Sequence, residues 1–196
     1  MSIGFVIGNG PGRLNFDLRQ LYGIGSTYGC NAIHRDFYCQ NIVCVSRTHL
    51  NDAISWGVNH KGYLWTTQKL LNIYKDPSLE LLPEPPFPES TKHDKLENWT
   101  TIAYAALLSA QRNDTIIMLG ADFSGNSIYH ETENYPPVFK NDFSPHIQQL
   151  LRIISYYNSK EFIFVNSNDN NCLSVFENKT NVTIDTYNNL QSLLLT

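Results

Sequence analysis

The stretch 3-IGFVIGNGPGR-13 decides the fold class of this chain. Its first residues, Ile3–Ile7, are mostly apolar, and three glycines follow between positions 8 and 12. A short apolar run that ends at glycines predicts a strand buried on both faces, as in a parallel sheet. Glycines let a backbone approach a ligand closely, and Pro11 presets the first turn of a helix whose amides attract anions. The stretch therefore predicts a first strand, followed either by a nucleotide-facing loop or by a tight turn that binds nothing.

The turn after this strand lacks the two best-known phosphate-binding patterns. A P-loop requires Gly-Lys-Ser/Thr, which is absent here. The dinucleotide pattern G-x-G-x-x-G would need a third glycine where Arg13 stands. By itself the turn therefore does not identify a ligand.

Short apolar runs recur along the chain and alternate with helical patterns. Further strands are predicted at Ser26–Cys30, 41–46, Thr115–Leu119, Glu161–Asn166 and 182–184. Helices are predicted over 100–111, from Ser144-Pro145 with Ser144 as N-cap, and over 187–195. The alternation predicts a single α/β domain over residues 1–196 with a mostly parallel sheet, and this length suffices for one substantial core.

Two long irregular stretches interrupt this alternation. Residues 77–95 form a Pro-rich connection around 81-LLPEPPFPE-89, which excludes helix and central strand and suits a lid or a linker. Residues 124–143 form a second irregular loop. Loops of this length in a compact domain are usually functional or disordered, and the second one is predicted to lie near the site.

The composition excludes several classes of protein. The net charge of −4, with a pI near 5.8, argues against a nucleic acid partner. No apolar run approaches the roughly 18 residues of a membrane span, and the first residues do not form a signal peptide. The four cysteines match no zinc or redox spacing, so reduced thiols in a cytoplasm are expected. Homo-oligomerisation is left open.

Polar residues at strand ends and at a helix start are the candidate binding groups. Asn31 follows the second strand, and its carboxamide either reads the edge of a base or ribose or forms a turn. Thr100 and Thr101 open a helix, where hydroxyls either cap the helix or reach an anion. Asp122 follows the strand Thr115–Leu119 and either faces a ligand or fixes neighbouring loops. No D-x-D spacing accompanies Asp122, so no metal site is predicted.

Two histidines are candidates for general acid-base chemistry near neutral pH. His130 and His146 are the histidines near the segment of Asp122 in the sequence, and the alternative for each is a surface or capping role. No G-x-S-x-G or Cys/His pattern indicates a covalent nucleophile.

Three segments, taken in order, resemble one family. VIGNGPGR at 6–13, GCNAIHRDF at 29–37 and TTIAYAALLSAQRNDTIIMLGADF at 100–123 are similar to the nucleotide-binding core of the bacterial sialyltransferases of glycosyltransferase family 42. They are also similar to the Rossmann-like domains of the domain of unknown function 115 group, which begin with a GNGPS-like stretch and have short stand-alone members in bacteriophages. The resemblance covers roughly residues 3–166 and implies a Rossmann-like, three-layer α/β/α fold.

The resemblance also implies roles for the matching positions. The positions that match the cytidine monophosphate donor site are Gly8, Asn9, Gly10, Asn31, Thr100 and Thr101, with Tyr129 matching the tyrosine that binds the donor phosphate. In that family a histidine before the next helix acts as general base on the acceptor hydroxyl. His146 is the nearest match to this histidine, and His130 is the second.

Several functions follow from these expectations. The first is a metal-independent glycosyltransferase without a resident cofactor, whose substrate is a nucleotide-sugar of the CMP-sugar type and which transfers the sugar to an acceptor hydroxyl. In it, backbone amides of residues 8–12 hold the phosphate together with Thr100 and Tyr129. The second is a module that binds a nucleotide or metabolite without turnover; if it is of viral origin, its location is the host cytoplasm. The third is a viral assembly protein that has kept an inherited fold.

Overall fold

The computed structural model describes residues 1–88, 95–123, 127–129, 131–132, 142–166 and 171–194, and these residues contain one parallel sheet of eight strands. In chain order the strands are β1 Ile3–Ile7, β2 Ser26–Cys30, β3 Asn41–Val43, β4 Tyr63–Thr66, β5 Leu79–Leu81, β6 Thr115–Leu119, β7 Glu161–Asn166 and β8 Val182–Thr186. Their order across the sheet is β5-β4-β3-β2-β1-β6-β7-β8. This is a Rossmann-like α/β arrangement in a single domain.

Helices cover both faces of the sheet. They are α1 Arg47–Ser55, α2 Gln68–Tyr74, α3 Thr101–Arg112, α4 Ser144–Tyr156 and α5 Tyr187–Leu194. α3 and α4 share a core with Val6, whereas α1, α2 and α5 share the opposite core with Phe5 and Ile7. Because successive strand residues point to opposite faces, the continuous apolar run of β1 supplies both cores. The result is a three-layer α/β/α domain.

The predicted elements agree with the structure at most positions. Four strands have the predicted bounds, and α3 and α5 lie within a residue of the predicted helices. β3 ends at Val43 rather than at 46, because the Ser46 hydroxyl accepts a hydrogen bond from the His49 amide and caps α1. The prediction of Ser144 as N-cap is wrong by one residue. α4 begins at Ser144, after Phe143, and the Ser144 amide donates to the Asp142 carboxylate at 2.9 Å.

The sequence patterns do not predict β4, β5, α1 or α2. β4 and β5 are only 4 and 3 residues long. α1 has no continuous apolar stripe, because the charged Asp52 is buried beside Leu50 and Ala53. β5 lies inside the predicted Pro-rich connection, at an edge of the sheet, where a strand next to prolines loses no ladder hydrogen bonds.

The part of the Pro-rich connection that the structure describes packs against the layer formed by α3 and α4. The ring of Phe87 lies 5.8 Å from the rings of both Trp99 and Tyr156. The Arg152 guanidinium lies 4.9 Å from the Phe87 ring centroid and donates to the Pro88 carbonyl at 2.7 Å. Positions 89–94 lie outside the described residues, as do 124–126, 130 and 133–141 of the second predicted loop.

The strand order reverses at β1, which fixes where a ligand can bind. β1 pairs with β2 on one side and with β6 on the other, so the connections leave β1 and β6 in opposite directions. In open α/β sheets the carboxyl ends of two such strands border a crevice that accepts ligands. Within the described segments, no helix combines the length and apolar character needed to cross a bilayer.

Candidate functional site

Two glycine turns interlock at the carboxyl ends of β1 and β6. The Gly8 amide donates to the Leu119 carbonyl at 2.8 Å, and the Gly10 amide donates to the Gly120 carbonyl at 2.9 Å. A Cβ atom on Gly8 would lie 2.5 Å from the Gly120 carbonyl oxygen, far below a normal contact. Gly120 itself has φ +60°, which favours glycine. These glycines are therefore needed for the close approach of the two turns.

Asp122 occupies the position that the sequence suggests for an anion. Its carboxylate accepts a hydrogen bond of 2.6 Å from the Gly12 amide, and a Cβ on Gly10 would lie 2.5 Å from the same carboxylate oxygen. Burial raises the pKa of Asp122, while the Gly12 amide and the Arg13 charge lower it. The amides of Gly8, Gly10 and Gly12 thus all donate within the protein, so a phosphate at this turn would have to displace Asp122.

Arg13 lies beneath the turn and is 4% exposed. Its Nε atom donates to the Gly8 carbonyl at 2.9 Å, and its Nη2 atom donates to the Tyr129 hydroxyl at 3.0 Å and to Asp36 at 3.2 Å. The Tyr129 hydroxyl in turn donates to the Asp36 carboxylate at 2.6 Å. Burial raises the pKa of Tyr129, and the hydrogen bond to Asp36 raises it further. The structure brings Tyr129 to the glycine turn, but with its hydroxyl bonded inside the protein.

A second group of predicted residues meets on the β2 side of the crevice. Asn9 donates through Nδ2 to the Cys30 carbonyl at 3.1 Å, which places it beside Asn31. Asn31 has φ +49°, a left-handed conformation that asparagine tolerates better than most residues. Its side-chain oxygen accepts a hydrogen bond of 3.2 Å from the Thr101 hydroxyl. Three segments that are distant in sequence therefore contribute one polar wall, formed by Asn9, Asn31 and Thr101.

His34 lies next to this wall, together with Asp52 and Arg35, which the sequence does not identify as site residues. Its Nδ1 atom lies 3.1 Å from the Asn31 carbonyl oxygen, and its Nε2 atom lies 3.3 Å from the Asp52 carboxylate. Arg35 donates to the same carboxylate at 2.8 Å. Burial lowers the pKa of His34, and the Asn31 carbonyl and the Asp52 charge raise it. No local pattern signals this cluster, because Asp52 lies on α1, 17 positions after Arg35 in the sequence.

Thr100 and Thr101 face different partners. The Thr100 amide and hydroxyl both donate to the Gln149 side-chain oxygen at 2.9 Å, whereas Thr101 donates to Asn31. Gln149 is 0% exposed and donates through Nε2 to the Asn98 carbonyl at 3.0 Å. One signal for Gln149 is present in the sequence: it is a polar residue four positions before Ile153, on the buried side of α4.

His146 lies on α4, three residues before Gln149 and therefore on a neighbouring part of the same helix face. The side chain is half-buried, its Nδ1 atom is buried without a hydrogen-bond partner in the described part of the chain, and its ring lies 5.7 Å from that of Phe143. Burial lowers the pKa of His146, and the Asp142 charge raises it. The other candidate base, His130, lies outside the described residues.

In the segments that the structure describes, no group of three or more His, Cys, Asp or Glu side chains could hold a metal ion. Cys30, Cys39 and Cys44 are free and buried, and burial raises the pKa of Cys30 to about 12. A thiol with so high a pKa carries little thiolate at neutral pH and is a poor nucleophile.

No protein-family model matches this chain, and no curated protein or solved structure matches it either.

Proposed function

We propose that this protein binds a nucleotide-sugar in the crevice between the ends of β1 and β6 and transfers the sugar to an acceptor hydroxyl without a metal ion. The observation that carries the proposal is the pairing of Asn31 with Thr101 at the start of α3. A carboxamide and a hydroxyl provide both donors and acceptors, which suits the edge of a base or a ribose. The resemblance to the family 42 sialyltransferases favours a cytidine monophosphate donor.

The start of α3 supplies what a phosphate needs. The first intrahelical bond runs from the Tyr104 amide to the Thr100 carbonyl, so the amides of Thr101, Ile102 and Ala103 have no acceptor within the helix. The Thr100 side chain makes no capping bond to them. Amides at a helix start also carry the positive end of the helix dipole, which stabilises an anion by about 0.3–1 kcal/mol. In this proposal the phosphate lies here, rather than at the glycine turn that Asp122 already fills.

His146 is the proposed general base. Because burial lowers its pKa, the imidazole is neutral at neutral pH and free to accept a proton. The acceptor oxygen attacks the anomeric carbon and gives its proton to His146, while the bond from that carbon to the phosphate oxygen breaks. The nucleoside phosphate leaves with the electron pair, and hydrogen bonds at the start of α3 stabilise its charge.

A nucleotide-binding module without turnover is the second candidate. It is favoured by the Tyr129 hydroxyl and the amides of Gly8, Gly10 and Gly12, which are all bonded within the protein. A leaving phosphate would then rely on the amides at the start of α3, without help from the glycine turn. This candidate predicts binding of a nucleotide without product formation.

Calorimetry with CMP, UDP and GDP species tests the proposed function. We expect one of them to bind, and Thr101→Val to weaken that binding about 5-fold, the effect of one lost hydrogen bond. Thr67→Val is the matched control, because Thr67 also stands at the start of a helix but belongs to α2, of which it is the N-cap. No binding of any nucleotide at millimolar concentration would refute both candidates.

Turnover separates the two candidates. If the protein is a transferase, incubation with the bound nucleotide-sugar and an acceptor yields product, and His146→Gln abolishes product while the Kd of the donor changes less than about 3-fold. Binding without product from any nucleotide-sugar identifies the module instead.

A further inference from the structure

The buried amide of Gln149 ties α4 to the start of α3. Its side-chain oxygen accepts two hydrogen bonds from Thr100, and its Nε2 atom donates to the Asn98 carbonyl. A fully buried glutamine with these three bonds is placed by the fold, since each lost bond would leave a polar group unpaired in the interior.

These bonds change what Thr100 does as a helix cap. A threonine at the N-cap normally accepts a hydrogen bond through its hydroxyl from the second or third amide of the helix. Thr100 is the N-cap of α3, yet its hydroxyl makes no such bond and donates to Gln149 instead. Thr101, the next residue, keeps its hydroxyl on the side of Asn31. The Thr100 hydroxyl is therefore bonded to Gln149 and not to the amides at the start of α3.

We propose that Gln149 is a positioning residue: it withdraws the Thr100 hydroxyl from the cap of α3, so that the first-turn amides stay open to the ligand phosphate and Thr101 alone of the two threonines faces the crevice. The second half of this statement rests on the proposed function. The first half, the withheld cap, does not depend on any ligand.

The threonine pair gives the first test. We expect Thr101→Val to weaken binding of the nucleotide found by calorimetry about 5-fold, and Thr100→Val to change its Kd less than 2-fold. Both substitutions replace a hydroxyl by a methyl group, so each is the control for the other. A loss of affinity in Thr100→Val equal to that in Thr101→Val would mean that Thr100 contacts the ligand, and would overturn the inference.

Gln149→Met gives the second test, by amide hydrogen exchange without ligand. Methionine fills a similar volume but accepts no such bond, so the Thr100 hydroxyl is released and caps α3. We expect exchange at Ile102 and Ala103 to slow roughly 3- to 30-fold relative to the slowest amides of β6, and nucleotide affinity to fall about 5-fold or more. In the double variant Gln149→Met/Thr100→Val no cap can form, and both quantities should return towards the wild-type values.

A merely structural role of Gln149 would not produce this rescue. In that case the effect of Thr100→Val would add to the effect of Gln149→Met. Unchanged exchange at Ile102 and Ala103 in Gln149→Met overturns the inference, even if the wild type binds nucleotide. Slowed exchange, together with a wild type that binds no nucleotide, supports the withheld cap and refutes the proposed function. Should Gln149→Met fail to fold, Thr100→Val alone decides, since it keeps both bonds of Gln149 to backbone groups.

Discussion

Asp122 brings a negative charge of the protein's own into the glycine turn. Its carboxylate lies where a side chain on Gly10 would have to be, and it accepts the hydrogen bond of the Gly12 amide. Arg13, buried beneath the turn, is close enough to lower the pKa that burial raises. Gly8 and Gly10 are thus explained by close approach to Gly120 and Asp122 before any ligand is considered.

Gly10→Ala tests this explanation. The new methyl group would lie 2.5 Å from the Asp122 carboxylate and 2.7 Å from the Gly120 carbonyl, so the two turns must separate. We expect the free energy of unfolding to fall by about 1–3 kcal/mol, the usual cost of overpacking, measured by urea denaturation.

Gly57→Ala is a suitable control for this variant. Gly57 has φ +68° and open space around its Cβ position, so alanine there meets only the backbone strain of about 1 kcal/mol. If Gly10→Ala costs no more than Gly57→Ala, close approach does not explain the glycine.

Single residues of the site differ in how far the sequence predicts them. Asn31 and Thr101 are predictable, because strand ends and helix starts meet at one edge of a parallel sheet. The sequence also places Asp122 and Tyr129 at this edge, but it does not reveal that Gly12, Arg13 and Asp36 already bind them. The partners of a buried polar group come from distant segments, as Gln149 does for Thr100, and a local pattern carries no information about them.

Among the secondary-structure elements, the described part of the Pro-rich connection packs against the layer of α3 and α4 through Phe87. Phe87 lies between Trp99 and Tyr156, and the Arg152 guanidinium covers its ring. Elements with long apolar runs, such as β1 and β6, are predictable to the residue. Those of three or four residues, β4 and β5, depend on pairing with neighbouring strands and carry too little local signal.

Phe87→Ala tests the packing of this segment. We expect unfolding free energy to fall by about 2 kcal/mol, less than the roughly 3–5 kcal/mol for a fully buried phenylalanine, because Phe87 is only half-buried. Trp99 is 3% exposed and gains solvent when the ring is removed, so its fluorescence should shift to longer wavelength. Phe87→Leu, which keeps most of the apolar contact, should show about half of each change. An unchanged fluorescence spectrum and an unchanged unfolding midpoint in Phe87→Ala would contradict the packing.

For the molecule as a whole, two partly buried histidines couple folding to pH. Burial lowers the pKa values of His34 and His146 below the unfolded value near 6.5. At pH values between the folded and the unfolded pKa, the unfolded chain binds more protons than the folded chain. The stability from these groups is therefore complete above about pH 6.5 and is lost as the pH falls through that value.

We expect the unfolding free energy to decrease between pH 7 and pH 5, with each histidine adding at most about 1.4 kcal/mol per pH unit. His146→Gln should flatten this slope, measured by urea denaturation at closely spaced pH values. His60→Gln, at an exposed position, is the matched control. An equal slope in the wild type and in His146→Gln would show that the imidazole of His146 is not shielded from protonation.

The central place of β1 has a consequence for the newly made chain. β1 pairs with β2, which follows soon after it, and with β6, which a ribosome adds only after Thr115–Leu119 has been translated. At ordinary rates of translation this takes on the order of ten seconds, during which one edge of the most apolar strand has no partner. In the sheet that the structure describes, β1 is thus the strand with the longest interval before its second neighbour, β6, is made. That interval, rather than the folded state, is when an unpaired edge of β1 is exposed to wrong pairing with other chains.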